Sequence, residues 1–466
     1  MSLSIANNVP SLNSQNNLGR STRLLSRSLE RLSSGLKVNR GGDGPAALVI
    51  SEQQRAQISG LQAAISNTTK AISVVQLGEG ALNEINSLLL KIRSLAVDSS
   101  NNGANDVNSL AANQAEINNA LSTINQIANN TQIGTRKLFD GSSGYDGTTT
   151  DTDVTFLKAA STAPTGLSAV VVTTAATRAN TTGANAVGTL AQNETLTING
   201  VAIALASGDT ITAVVNKVNA FTAQTGVTAE DNGSGFLRLR TSTFGSAATF
   251  TVQSTVAAGA NTTGIGTSTI TATGTNVAGT IGGVSGIGSG NVLSAQGISV
   301  SFALASGSTT TTVTGAQGDV NIVDRSLNFQ IGAFAGQTAK VAFDKLNTGS
   351  IGIGANGSGT ANLAAIDVRN FNGAQDAIRV VDQAINDVTT LRGTLGAFQQ
   401  NTLNATANNL RTSLENTTAS ESAIRDTDYA EEISTFTKLQ VQQQAGATVL
   451  GNANQLPALI AQLLRG

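Results

Sequence analysis

The chain has 466 residues, a formal net charge of −2 and only 12% charged residues, and it contains neither cysteine nor histidine. These absences exclude disulfides, thiolate nucleophiles, His- or Cys-ligated zinc and Ser-His-Asp triads, and the sparse charge argues against nucleic acid as a partner. No segment is long and apolar enough to span a membrane, and residues 1–20 lack the order of a Sec signal peptide, so any export would use another route.

The first predicted helix runs from near Pro10 to Ser34. Pro10 suits a first helical turn and Gly35 is the expected C-cap. Its apolar stripe consists of Leu18, Leu25, Leu29, Leu32 and Leu36. Residues 39–44 predict a turn, and Pro45 suits the first position of the next helix.

The second helix is predicted over residues 45–97, where apolar positions step mostly by three and four residues. The predicted heptad seam is Ile58, Leu61, Ile65, Thr68, Ile72, Val75, Glu79, Leu82, Ile85, Leu89, Ile92 and Ala96. Gly60, Gly78 and Gly80 are expected to weaken the helix locally. A helix of this length would span roughly 80 Å, so its seam requires partner helices from elsewhere in the chain.

A third helix is expected after Asp106, a suitable N-cap, and its heptad spacing continues to about Asn130. A short hairpin turn is then predicted at residues 138–141.

From about residue 142 to residue 370 the composition shifts to Gly, Thr, Ser and Ala, and helical periodicity mostly disappears. Residues 195–205 predict two strands joined by Asn199-Gly200, a strong hairpin signal. Asp209 is the expected cap of a short helix, and a strand is predicted at residues 236–240. Residues 259–290 show no periodicity and are interpreted as loop or irregular β-structure.

Helical order returns after Asn372, the expected N-cap of a helix whose apolar seam runs from Ile378 to Phe398. The seam resumes after a shift at Leu403 and is followed by a final apolar segment that includes Pro457. Charges are mostly positive in the first helix and lean negative in this last segment, so the two chain ends are complementary.

These elements predict a mainly α, coiled-coil or helical-bundle rod formed by both chain ends, with a central β-rich α+β insert. The expected domains are two terminal helical segments at residues 1–44 and 419–466, two parts of a helical rod at 45–145 and 371–418, and an outer region of one or more domains at 146–370.

Separated motifs in both ends resemble bacterial flagellin. Residues 32–39 read LSSGLKVN, residues 391–397 read LRGTLGA, and residues 421–432 read ESAIRDTDYAEE. Residues 196–239 are similar to a repeat in the variable region of some flagellins. The resemblance covers about the first 145 and the last 95 residues.

The resemblance implies a structural subunit without enzyme activity, cofactor, or nucleic-acid or membrane partner. It implies export through the flagellar type III channel, an export chaperone, a filament cap, and polymerisation into an extracellular helical filament for motility. The expected inner-tube packing residues are Leu25, Leu29, Leu32, Leu36, Phe436, Leu439, Leu456, Ile460 and Leu463. Positions matching a vertebrate Toll-like receptor contact of some flagellins are Lys91, Arg93, Leu95 and Glu116.

Two alternatives remain open from the residues. A hook–filament junction protein would share the terminal helices but assemble into a short zone instead of a long filament. An adhesin or glycan-binding surface protein would act through the central insert, and binding of the insert to a glycan panel would support it.

Overall fold

The computed structural model describes residues 8–101, 103–303, 314–355, 358 and 360–463, with the backbone alone for residues 456–463. The chain forms two compact units. Unit 1 comprises Met1–Thr69, Gln330–Gln337 and Ala405–Gly466, and unit 2 comprises Lys70–Phe329 and Thr338–Asn404. Helices at both chain ends and sheets between them confirm the predicted fold class.

The helices are α1 Val9–Ser34, α2 Pro45–Ser99, α3 Val107–Asn130, α4 Ile211–Asn219, α5 Thr222–Thr225, α6 Phe371–Ala397, α7 Ala405–Arg425 and α8 Tyr429–Leu463. A π-helical segment, Phe398–Asn404, joins α6 to α7. Within the described residues, no helix combines the length and apolarity that crossing a lipid bilayer requires.

The strands are β1 Gln132–Ile133, β2 Arg136–Lys137, β3 Tyr145–Thr149, β4 Val154–Ala159, β5 Gly166–Thr174, β6 Arg178–Ala186, β7 Glu194–Ile198, β8 Val201–Leu205, β9 Val227–Asp231, β10 Phe236–Phe244, β11 Thr249–Ser254, β12 Ile270–Thr273, β13 Ala278–Ile281, β14 Val284–Ser285, β15 Ile287–Ser289, β16 Val292–Ala295, β17 Ile298–Phe302, β18 Gly315–Asp324, β19 Leu327–Gln330 and β20 Thr338–Val341. The larger sheets have the orders β6-β10-β9, β12-β11-β7-β8, β14-β13-β5-β18-β3 and β15-β16-β17-β4.

Helix ends follow the local signals in most places. Gly35 is left-handed at φ 75° and its N–H donates to the Arg31 carbonyl at 2.8 Å, as predicted for a C-cap. Asp106 caps α3, its carboxylate accepting from the backbone N–H of Ser109. The predicted cap of α6 was wrong by two residues, because Asn370 and not Asn372 accepts from the first-turn N–H of Gly373.

Asp209 was also a wrong cap prediction, because Thr210 caps α4. The Asp209 carboxylate instead pairs with Lys217 at 2.5 Å and accepts from the Ala206 N–H, since it lies one residue outside the cap position.

The buried stripe of α2 differs from the predicted seam. Its positions alternate without exception between steps of three and four residues. They are Leu61, Ala64, Thr68, Ala71, Val75, Gly78, Leu82, Ile85, Leu89, Ile92, Ala96 and Ser99. Ile58, Ile65, Ile72 and Glu79, which were predicted inside, are half-buried beside it. Before Leu82 the alternate positions of this stripe are the small residues Ala64, Ala71 and Gly78, which leave room for neighbouring side chains. Gly78 is the clearest case, because a Cβ there would lie 2.6 Å from the Phe343 ring.

The π-helical segment explains why the apolar seam that ends at Phe398 resumes out of step at Leu403. Leu395 and Leu403 are both fully buried although eight residues separate them. A strict three-four step would place the second position at residue 402, and the wider π-turn accommodates the extra residue.

The insert contains two hydrophobic clusters. One is built mainly from β6 to β12 with α4, and the other mainly from β3 to β5 and β13 to β18. The hairpin at Asn199-Gly200 is confirmed, with both residues at positive φ of 50° and 84°. Residues 259–290 include strands β12 to β15, each of two to four residues, which is too short for periodicity to indicate.

The hairpin turn predicted at residues 138–141 was wrong. The turn lies between β1 and β2, where Gly134 has a φ of 59°. Leu138 and Phe139 are fully buried instead, and Phe139 packs edge-on against Phe343 with ring centroids 5.6 Å apart.

Candidate assembly surface

Helices α1 and α8 pack antiparallel in unit 1 and form the terminal helix pair. At one end the Ser11 hydroxyl donates to Asn454 at 2.6 Å, and the Asn8 amide donates to the Ala453 carbonyl at 2.9 Å. Near the middle, Gly446 lies against Leu18. Two polar hydrogen bonds and one contact of a leucine with a glycine therefore join this half of the pair.

The other end of the terminal helix pair is joined through backbone. Lys37 N–H donates to the Arg425 carbonyl at 2.7 Å, and Thr427 N–H donates to the Gly35 carbonyl at 2.9 Å. An ion pair between Arg31 and Glu432, at 3.5 Å, crosses the same end. The complementarity expected from the charges of the two chain ends is thus realised in direct contacts.

Unit 1 also ties α2 to α7. Arg425 reaches Glu52 at 3.0 Å, and the Ser51 hydroxyl donates to Glu421 at 3.1 Å. Hydrogen bonds from Arg55 and then Arg425 lower the pKa of the Glu52 carboxyl. Below them, Leu61, Ala64 and Leu410 form a small buried cluster.

The terminal helix pair leaves much of its apolar surface exposed. Among the large side chains of α1 and α8 that the structure describes, those that are more than 40% exposed are Val9, Leu12, Leu24, Leu29, Tyr429, Ile433, Val441 and Val449. We call this set the exposed apolar surface. These side chains are distributed over both helices, and the exposure of so many of them on one helix pair favours contact with other molecules.

The predicted packing residues divide into four groups. Leu29 is 50% exposed, whereas Leu439 is buried within the unit. Leu25, Leu32, Leu36 and Phe436 are half-buried. The side chains of Leu456, Ile460 and Leu463 lie outside the described part of the structure, although the helical backbone continues through them.

Sequence reasoning did not assign a packing role to Gly446 or Asn454. Both residues lie on α8. A glycine inside a helix is a signal for close approach of another segment, and the structure shows that Leu18 is the side chain that approaches Gly446.

The four positions matching a receptor contact lie on α2 and α3 in unit 2. Lys91 pairs with Glu116 at 2.6 Å, and Arg93 pairs with Asp382 of α6 at 2.6 Å. Lys91, Arg93 and Glu116 are exposed and Leu95 is half-buried. The structure thus brings Lys91 and Glu116 together and leaves all three charged side chains accessible to solvent.

Comparisons with known proteins follow the same division into ends and insert. The bacterial flagellin N-terminal helical region matches residues 5–144, the bacterial flagellin C-terminal helical region matches residues 378–464, and the flagellin hook IN motif matches residues 189–243.

Similar full-length relatives carry the same name. The flagellin of Clostridium tyrobutyricum is 32% identical over 455 residues, which cover 97% of this chain and 99% of the relative. The B-type flagellin of Pseudomonas aeruginosa is 31% identical over 530 residues, with both chains covered completely. Among solved structures, hook-associated protein 3 of Legionella pneumophila matches 79% of this chain and 97% of its own at 13% identity and a TM-score of 0.30, which is too low to support any argument.

Proposed function

This chain belongs to the bacterial flagellin family, and we propose that the exposed apolar surface of its terminal helix pair is where each subunit contacts its neighbours. The protein is a structural subunit of the flagellar filament, an extracellular assembly used for motility, and flagellins self-assemble into such filaments. The family is not a family of enzymes. The matches do not favour a junction protein or an adhesin.

The single observation that supports this contact surface is the exposure of large apolar side chains on both α1 and α8. Val9 and Leu29 are 20 residues apart on one helix, which is about 5.6 turns, so they face different sides. Neighbours on more than one side would be needed to cover them. A head-to-tail contact that does not close into a ring extends into a helical filament.

We extend the proposal to the packing residues and domain limits expected from the sequence. Leu29 would contact a neighbouring subunit, while Leu439 would support the pair from inside. Residues 1–44 and 419–466 would form the inner tube, residues 45–145 and 371–418 the rod around it, and residues 146–370 the outer region.

Export as an unfolded chain through a type III channel, with a chaperone and a filament cap, is likewise our proposal. The full sequence contains no cysteine, so no disulfide would oppose threading of the unfolded chain. The exposed apolar surface would need cover before assembly, and this supports a chaperone.

The contact surface is tested by Leu29→Asn, with Leu167→Asn as the matched control. Leu29 is 50% exposed on α1, and Leu167 is 69% exposed on strand β5 of the insert. Burying the open half of a leucine contributes about 1 kcal/mol, and burying an amide in its place adds a similar cost. Together these effects correspond to at least a roughly tenfold higher critical concentration for seeded polymerisation.

Sedimentation of seeded filaments measures this concentration for the parent and both variants. We expect Leu29→Asn to raise it and Leu167→Asn to leave it unchanged, with the monomers giving the same circular dichroism. Equal critical concentrations for Leu29→Asn and the parent would refute the contact surface, as would an equal rise in the control.

A separate proposal concerns Lys91, Arg93, Leu95 and Glu116 as a receptor contact. Their exposure supports it, but Lys91 provides a point charge where the receptor-recognised pattern has a planar guanidinium. Lys91→Arg should therefore increase signalling by purified monomer in receptor-bearing cells, and Lys91→Gln should decrease it. Absence of any response to the parent and to Lys91→Arg would eliminate this role.

A further inference from the structure

The outward face of the three-stranded sheet β6-β10-β9 carries a cluster of arginines. Arg238 and Arg240 are two residues apart on β10 and therefore point to the same side. Arg240 lies opposite Asn180 of β6 and Thr228 of β9, and Arg238 lies opposite Glu230. Arg178 begins β6 and lies on the same face, two residues from Asn180. The other face is apolar and contributes to the core.

The positive charges in this arginine cluster exceed the negative ones. Glu230 accepts from Arg238 at 2.5 Å and from Arg240 at 2.9 Å, so one carboxylate serves two guanidinium groups. Arg178 adds a third positive charge. Three positive charges and one negative charge leave a net +2 for these four side chains, in a protein whose whole chain carries −2.

Arg178 is positioned without an acidic partner. Its guanidinium lies 4.8 Å above the ring of Phe244, and in the described part of the chain it makes no ion pair. Its Nε is buried without a hydrogen-bond acceptor among the described residues, and so is the Nε of Arg240. Burial and then the charge of Arg240 lower the pKa of Arg178, and the opposing charge of Glu230 compensates its positive charge only in part.

We propose that the cluster of Arg178, Arg238 and Arg240 binds a sulfate or phosphate group. A planar guanidinium presents paired N–H donors that match two oxygens of such a group. The stacked ring holds Arg178 in place before binding, which reduces the ordering cost. The bound oxyanion balances the excess charge that Glu230 leaves. The group is either a free ion or a substituent of an acidic polymer, and this binding is an activity in addition to filament formation.

Full-length monomer labelled with ¹⁵N-arginine is titrated with sodium sulfate, sodium phosphate and, at matched ionic strength, sodium chloride. Sulfate and phosphate should shift the guanidinium resonances of Arg178 and Arg240, and chloride should not. Arg178→Gln should weaken binding at least about tenfold, because it removes a charge-assisted contact. Glu230→Gln should strengthen it, because it removes the competing carboxylate.

The matched control is Arg325→Gln, which removes one positive charge from a half-exposed arginine that directly follows β18 and lies 3.8 Å from Asp146. We expect it to bind like the parent. In a second experiment, the protein is tested for retention on dextran sulfate and on neutral dextran. Retention on dextran sulfate without a response to free sulfate would show that the bound group belongs to a polymer. If neither free anions nor dextran sulfate distinguish Arg178→Gln from Arg325→Gln, the inference is wrong.

Discussion

Replacing Gly78 by alanine should destabilise unit 2, although the same change in an exposed helix normally stabilises. Gly78 lies on the buried stripe of α2, and an ideal Cβ there would lie 2.6 Å from Cε1 of Phe343. Carbon atoms in contact normally lie about 3.5 to 4.0 Å apart, so the ring would have to move by about 1 Å. Phe343 is fully buried, and it packs edge-on against Phe139, so neighbouring side chains would have to move with it.

The magnitude follows from two opposing effects. Alanine gains about 1 kcal/mol over glycine from helix propensity. Forcing an extra methyl group into a packed interior costs about 1 to 3 kcal/mol. Because this contact is close and its partner is enclosed, we expect the upper part of that range and a net loss of about 2 kcal/mol.

Gly80→Ala is the matched control on the same helix. It is exposed, and no atom lies within 4 Å of its ideal Cβ position. We expect it to gain up to about 1 kcal/mol from propensity alone. Urea unfolding of the full-length monomer, followed by circular dichroism at the helical band, compares the midpoints of the parent and both variants.

A third variant separates overpacking from other causes. Phe343→Leu in the Gly78→Ala background reduces the ring that the methyl group meets, so the two substitutions should be strongly non-additive. Equal midpoints for Gly78→Ala and Gly80→Ala, or purely additive effects in the double variant, would refute the reasoning.

Two further predictions concern a buried carboxyl and a turn. Burial raises the pKa of Asp344 to about 6, opposed by the charge of Lys158 and assisted by that of Asp387. This pKa exceeds the ordinary value of 3.8, so protonation of Asp344 favours the folded state. Its contribution to the free energy of unfolding is complete below about pH 4 and falls by up to about 3 kcal/mol as pH rises through 6. Asp344→Asn should remove this dependence in melting curves from pH 4 to 8, and an unchanged profile would contradict it. Gly200→Ala should cost about 1 kcal/mol, because its φ is 84° and open space surrounds it, whereas the helical Gly393→Ala should not destabilise; equal melting temperatures would count against this account.

The local elements were predictable wherever a few adjacent residues determine them. Pro45 begins α2, Gly35 ends α1, Asp106 caps α3, and Asn199-Gly200 forms a hairpin turn. Each of these signals acts through backbone geometry or a hydrogen bond within about four residues, so no distant contact is needed to establish it.

The candidate site was only partly predictable. An apolar seam at the chain ends identified Leu29 and Leu439 as equivalent packing positions. The structure leaves Leu29 exposed and buries Leu439, because only the placement of the second helix decides which apolar side chains it covers. The arginine cluster was not predicted, because only the register of β6 against β10 brings Arg178 beside residues about 50 to 60 positions later in the chain.

The sequence by itself determined that two apolar helical ends enclose a β-rich insert, that the ends carry opposite charges, and that their motifs resemble flagellin. Tertiary structure decided which stripe of α2 is buried. Two adjacent stripes share the three-four step, and hydrophobicity alone favoured Ile65 and Ile72 over Ala64 and Ala71. The smaller set is buried because close packing selects for shape, and the ring that fits against Gly78 comes from Phe343, more than 260 residues later in the chain.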